Sequence, residues 1–472
     1  MKITSLYKLL LIITLFNACK VSKNTTVPTN TVPDKYRDYS GNDSLNIANI
    51  PWKQLFVNEQ LRALIDSTLN NNFDVQVTLK NKEAAQLLIK QSKLGYLPEV
   101  RLQGAGGINR PSDNSLSGLS LSQFLGKSYV EDYSVNASLS WEADIWGKIK
   151  NQQAKSLATY LQSEEARKTI QTDLIASVAN GYYRLLMLDE QEEIAKKNLA
   201  LADSSLSIMK LQYQSGQLNS LAIQQATAQR LQAAELIPRL TQQIRLVESY
   251  LSILSGVAPK QIIRKGNIYE TIVSAALSPG IPSDLLSNRP DVKSLELELM
   301  KANANTGIAK ASLYPTLSIT ATGGLNAFLA SNWFSIPASL FISGIAGISQ
   351  PVFQQGKLKT QYRLSEIERE KTVLRFRQSV LLAVGEVSDE LTKIEKLKEQ
   401  AIITKERVVV LQNGISNAQM LFRNGMANYL EVITAQRNVL ESELALALTQ
   451  KELSEAVIGL YKSLGGGWQS NK

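Results

Sequence analysis

Hydrophobic and polar positions run along this chain with two different periods. From Tyr133 onward, Tyr133, Val135, Ala137, Leu139 and Trp141 alternate with Ser134, Asn136, Ser138, Ser140 and Glu142. A period of two predicts a strand with one apolar and one polar face. The stretches 96–109, 314–327 and 339–352 predict three more strands, each about long enough to cross a bilayer at a tilt. Elsewhere the period is 3.5. Ile394, Leu397, Ala401, Thr404, Val408, Leu411, Ile415, Ala418 and Phe422 step alternately by three and four. Shifted back by 209 residues, the seam recurs as Leu185, Leu188, Glu192, Ala195, Leu199, Ala202, Leu206, Met209 and Tyr213, with Glu192 its one charged member. Such seams call for coiled-coil packing. No proline falls between Gly147 and Gly216 or between Gly356 and Gly425, so two helices of roughly 100 Å are predicted at 1.5 Å per residue.

The same plan is written twice. NNFDVQ from Asn71 matches NRPDVK from Asn288, and YLPEVRLQGAGG from Tyr96 matches YPTLSITATGG from Tyr314, at offsets of 217 and 218. WGKIKNQQ from Trp146 then matches QGKLKTQY from Gln355 at an offset of 209, which holds through Gly216/Gly425 to Gly256/Gly465. Each half reads as helix, strand, loop, strand, very long helix, sharp turn, helix. The first helix is expected over about 57–93 and its partner over 289–312. The expected organisation is a first repeat at 57–256, a joining segment at 257–287, a second repeat at 288–465 and a tail at 466–472.

Composition then narrows the function. Hydrophobic residues make up 44% and charged residues 20%, the balance of a folded chain. The net charge of +9 is scattered, with no basic tract, so nucleic acid is not an expected partner. There is no histidine, the commonest general base and transition-metal ligand. No constellation of convergent polar residues stands out, so no catalysis, cofactor or metal site is expected.

The single cysteine, Cys19, follows Lys2, Lys8, the apolar run Leu9–Phe16 and Ala18. Residues 1–18 read as a secretory signal, too short to span a bilayer as a helix. A cysteine directly after a small residue resembles a bacterial lipobox, with Phe16 where leucine is usual. That resemblance implies cleavage before Cys19 and lipid attachment to its sulfur; the alternative is a plain signal peptide. Residues 19–56 would then be a lipid-anchored arm, and 20–50 are polar and rich in Pro, Asn and Thr, as in an extended linker.

Four membrane-length strands cannot close a barrel alone. Open edges in lipid leave backbone groups unsatisfied at several kcal/mol each, and outer-membrane barrels have eight strands or more. Four strands from each of several chains could close one, three chains giving twelve, with the long helices as a tube beneath. The expected fold is therefore mainly α with a membrane β-barrel portion and internally duplicated.

At this point the residues resemble a known family. FRNGMANYLEVITAQR (Phe422–Arg437) looks like the helix-tip signature of the TolC-like outer-membrane factors, NRPDV (Asn288–Val292) like the opening of their second repeat, and WEADIWGK (Trp141–Lys148) like the strand-to-helix corner of their first. The resemblance covers nearly all of the chain after Cys19 and is closest to the lipidated drug-efflux branch. It implies a homotrimer, with a trimeric twelve-stranded β-barrel plus a long α-helical coiled-coil barrel, and a passive exit duct in the cell outer membrane, anchored in outer-membrane lipid at Cys19, with its helical portion in the periplasm. A periplasmic adaptor and an inner-membrane pump of the resistance–nodulation–division type would drive it. It also implies a periplasmic gate at Glu431 and Thr434, with Thr434 standing where relatives often carry aspartate. Arg437 would pair with a neighbouring chain's acid; the plainer alternative is that Glu431 and Arg437 are solvated. The corners at Gly216, Gln217 and Leu218 and at Gly425, Met426 and Ala427 would dock the adaptor. Three rival readings remain: a duct for metal efflux, a duct for type I protein secretion, and a lipid-anchored structural coiled coil or adhesin.

Overall fold

The computed structural model describes residues 33, 35, 36, 46–270 and 278–469. The expected signal, the lipid site at Cys19 and residues 470–472 lie outside the described residues. Two short turns, Ile47–Asn49 and Trp52–Leu55, precede α1 (Glu59–Asn71), α2 (Phe73–Leu94), β1 (Glu99–Asn109), α3 (Leu116–Leu125), β2 (Val130–Ala143), α4 (Lys148–Gln214) and α5 (Ser220–Leu254). After the turns Pro282–Asp284 and Leu285–Asn288 come α6 (Pro290–Ala311), β3 (Thr316–Ala327), β4 (Leu340–Ser349), α7 (Lys357–Arg423) and α8 (Tyr429–Ser463). The duplication holds to the residue. α4 and α7 each contain 67 residues, α5 and α8 each contain 35, and every one of their boundaries is shifted by 209.

Two expected elements need correction. The helix foreseen over 57–93 is two helices. Asn72 is extended, and its Oδ1 accepts from the amides of Asp74 (2.8 Å) and Val75 (3.2 Å), which caps α2. Its Nδ2 donates to Leu254 O at 2.8 Å. The second repeat breaks at the matching place. Arg289 is extended because Pro290 follows it and disfavours the helical conformation there, and it donates to Ser463 O at 3.1 Å. Each repeat thus pins the carbonyl end of its last helix to the break before its first long one. Residues 46–50, foreseen as linker, are also ordered: Ile47 and Ala48 are buried, and Tyr461 Oη donates to Ile50 O at 2.7 Å.

The chain divides into two compact units. Within the described residues, the first comprises 83–161 and 297–374 and contains the sheet. The strands pair antiparallel in the order β1-β2-β3-β4. The corner from β2 into α4 is built by Asp144, whose two oxygens accept from the amides of Ile149 (2.8 Å) and Lys150 (2.9 Å), and by Gly147 at φ +73. Trp146 stacks on Tyr314 at 4.8 Å and donates to Pro315 O at 2.7 Å, joining the corners of the two repeats.

The second unit comprises residues 162–296 and 375–469, with the described residues of 28–82. Side-chain bonds order its long helices as α7-α8-α4-α5. Arg407 donates to Ser442 at 2.8 Å, Gln436 to Ser205 at 2.7 Å, and Arg230 to Asp203 at 2.6 Å. In α7 the predicted seam is buried or half-buried throughout, while the residues between its members are exposed almost without exception. In α4 the seam is buried or half-buried except at Tyr213, which is 46% exposed at the corner. Glu192 is accommodated by Thr241, which donates to it at 2.8 Å, and by Lys196 at 2.7 Å. The Lys196 bond holds the Glu192 carboxyl below its ordinary value. α4 carries a second buried stripe through Ile194, Asn198 and Ser205, and the bonds place Ser205 against α8.

Candidate functional site

The register sorts the sheet into two faces. Val100 pairs with Leu139, Leu139 with Ala321, and Ala321 with Gly344. One row further out, Leu102, Ala137, Gly323 and Ile342 align in the same way. Paired residues point to one side, so one face is apolar across all four strands. That face is bare: Leu102 and Ile342 are each 82% exposed. The other face carries Gln103, Asn136, Ser138, Thr320, Thr322 and Ser343 at the interleaved positions. The predicted alternation of Tyr133 to Trp141 therefore extends over β1, β2 and β3, whereas β4 also places Phe341 and Ile345 on the polar face.

Aromatic side chains bracket the apolar face. At the end that joins the helices, Trp141 donates to Tyr96 O at 2.9 Å and Trp146 stacks on Tyr314. At the far end Tyr133 packs on Trp333 at 5.5 Å, and Trp333 on Phe334 at 5.0 Å. From Tyr133 to Trp141 is about 27 Å along the strand, or about 20 Å of membrane thickness at a tilt of ~40°. This approaches the ~25 Å apolar band of outer-membrane barrels, with aromatic girdles where such barrels carry them. Among the described residues no helix is long and apolar enough to cross a membrane. Among the described residues β1 and β4 each pair on one side only, so both edges of the sheet are open there.

The two helix corners are copies of one device. Gly216 (φ +77) and Gly425 (φ +72) take the left-handed conformation that ends a helix sharply. The amide of Gln217 donates to Gln212 O at 2.8 Å and that of Met426 to Leu421 O at 2.9 Å, the long bond of a Schellman turn. Asn219 then caps α5 through the amide of Ala222, and Asn428 caps α8 through those of Leu430 and Glu431. Leu206, Met209, Ala226, Phe422 and Val432 form one buried cluster between the two corners. Of the expected docking residues, Leu218 and Ala427 pack against this cluster, whereas Gly216, Gln217, Gly425 and Met426 are exposed.

The expected gate residues divide between two grooves of the second unit. Glu431 and Thr434 line one between α8 and α7 with Leu411, Gly414 and Asn438. Arg437 lines another between α8 and α5 with Glu235, Arg239 and Glu441. Within the chain Arg437 lies 3.9 Å from Glu441. All three gate residues are exposed. Glu431 sits in the first turn of α8, where a carboxylate also favours the helix dipole.

Two buried arginine knots escaped the sequence reading. Arg289, 10% exposed at its side chain, grips Asp291 (2.6 Å) and Glu386 (2.6 Å). Burial pushes the Asp291 carboxyl up, but the bonds from Arg289 outweigh it and hold the group below its ordinary value. Arg264, in the segment read as a joining piece, binds Asp189 (2.7 Å from Nη2) and Glu248 (2.5 Å). The Asp189 bond, ahead of any other cause, raises the Arg264 guanidinium above its ordinary value. The Pro290 that sets Arg289 was a usable signal; Arg264 stands in aperiodic sequence and offered none.

The family model described as outer membrane efflux protein matches twice, over residues 64–256 and 281–466. The cation efflux system protein CusC of Escherichia coli is 26% identical over 96% of both chains. The probable outer membrane lipoprotein SilC of Salmonella typhimurium is 30% identical over 88% of both, and the antibiotic efflux pump outer membrane protein ArpC of Pseudomonas putida is 29% identical over 91% of this chain and 88% of that one. A crystal structure of CusC superposes with a TM-score of 0.85 at 25% identity, covering 95% of this chain and all of the other. The double family match falls on the two halves that carry the matched helices and the amphipathic sheet: this chain belongs to the outer membrane efflux protein family, an internally duplicated TolC-like channel of the outer membrane.

Proposed function

We propose that three copies of this chain close a twelve-stranded barrel, and that the assembly is the passive exit duct of a tripartite efflux system for drugs and other small organic molecules. The observation that carries this is the four-stranded sheet with a bare apolar face, a polar face and two open edges. In lipid such edges leave backbone groups unsatisfied. β1 and β4 run in opposite directions, so a β4-to-β1 contact between copies continues the antiparallel order and closes a barrel. Cys19 carries the lipid, the exposed residues of the two corners meet the periplasmic adaptor, and Glu431 with Thr434 narrows the bore. An inner-membrane pump of the resistance–nodulation–division type supplies the energy. The hydroxyl and amide groups of the polar face suit hydrated organic solutes. The organisation into arm, two repeats, joining segment and tail is part of the same reading.

The test is complementation. In a strain lacking its own outer-membrane efflux protein, this chain co-expressed with a cognate pump and adaptor lowers accumulation of a fluorescent organic dye several-fold. Unchanged dye accumulation with the protein correctly placed in the outer membrane would contradict the organic-substrate reading. Rescue of copper or silver tolerance alone would turn the assignment to metal efflux.

A further inference from the structure

On the duct reading, the polar face of the sheet lines the bore, and the register lets that lining be read row by row. Its two rows next to the loop-bearing end are free of charge: Gln103 lies opposite Asn136 and Asn136 opposite Gly324, and Ala105 lies opposite Ser134 and Ser134 opposite Asn326. The charges near the helix-bearing end cancel locally. Arg101 binds Glu99 at 2.8 Å, and Lys148 binds Glu142 at 3.0 Å. One row beyond Ser134, at the end that carries the loops, stands Asp132. It pairs with Gly107, which has no side chain to cover it and open space where a Cβ would be.

Asp132 is exposed. Its Oδ1 accepts from Asn326 Nδ2 at 2.6 Å, a neutral donor that orients the carboxylate without cancelling its charge. Among the described residues no lysine or arginine forms an ion pair with it. The two cations of the adjoining loop are engaged elsewhere, Arg110 with Asp113 at 3.8 Å and Lys127 over the Tyr129 ring at 6.0 Å. The same face therefore holds an uncharged band and, at one end, a carboxylate with no counter-charge.

We propose that Asp132, one per chain, makes the outer mouth of the duct cation-preferring, and that the hydroxyl and amide band beneath it passes solutes without sorting them by charge. A ring of like charges in a low-dielectric wall focuses field into the opening and enriches the counter-charged solute. This rests on the duct reading. It puts a selectivity determinant in the sheet, distinct from Glu431 at the helix corner.

The experiment is the reversal potential of the full-length protein in a planar bilayer under a KCl gradient, with heat-resistant oligomer on a gel as the check of assembly. Wild type is expected to prefer potassium over chloride at least twofold. Asp132→Asn, which keeps a group able to meet Asn326, loses at least half of that preference, Asp132→Lys inverts it, and Asn326→Asp, which adds a second carboxylate, strengthens it. An unmoved reversal potential in assembled Asp132→Asn would overturn the proposal, and a shift in Glu431→Gln alone would assign selectivity to the corner. No conductance from assembled wild type would overturn the duct reading itself, and the mouth with it.

Discussion

Gly425 and Gly465 share a backbone conformation but not a neighbourhood. At Gly425 (φ +72) an added Cβ meets nothing within 4 Å, whereas at Gly465 (φ +82) it lies 2.3 Å from Asn288 O. Gly425→Ala therefore carries only the left-handed strain, about 1 kcal/mol. Gly465→Ala must also move backbone, so its loss is at least ~2–3 kcal/mol, in the class of packing faults. Thermal midpoints followed by helical circular dichroism should rank wild type, Gly425→Ala and Gly465→Ala in that order; equal midpoints for the two variants would refute the close contact. Asp291 supplies a pH test at the same scale. Its folded pKa is depressed, so its contribution is fully present above its unfolded value near ~3.9 and disappears as pH falls through the lower folded value. The gap in midpoint between wild type and Asp291→Asn should stay constant from pH 7 to about 5 and shrink below about 4. The turn glycines and the strand alternation could be read from residue type and spacing. Of the arginine knots, Pro290 marked only the extended backbone of Arg289, and Arg264 left no mark because its partner Asp189 lies 75 positions away.

At the scale of elements, periodicity did most of the predictive work. The seam of α7 is buried where spacing placed it, and α4 departs from its own seam at Tyr213, which is exposed beside the corner. The second buried stripe of α4 was invisible to a search for one seam per helix. The short helix α3 was likewise unforeseen; LSGLSLSQFL mixes small, polar and apolar residues without a clean period. In the strands the two faces differ in kind, so identical substitutions one residue apart should diverge. Leu139→Arg puts a cation on the apolar face near mid-strand, where lipid exposure costs about 2–4 kcal/mol, whereas Ser138→Arg stays on the wet side. The first is expected to reduce assembled protein in the outer membrane severalfold and the second to leave it near wild type. Equal yields would mean that the apolar face does not meet lipid.

For the whole molecule, duplication explains why one chain carries two corners and an even number of strands. A 209-residue offset that survives in every long-helix boundary points to a single ancestral half with one hairpin and one corner. Four strands form an amphipathic sheet but leave both edges open, so a chain in lipid is complete only beside others. Family membership was legible because several weak motifs fell in order and at matched spacing in both halves. The exported substrate was not, because a bore of hydroxyls and amides binds nothing tightly enough to leave a motif. The central claim is that copies of this sheet close one barrel. It is tested most directly by the protein mass of the detergent-extracted particle, from light scattering with the detergent contribution subtracted. The account predicts three times the mass of one chain, and a stable monomer would contradict it.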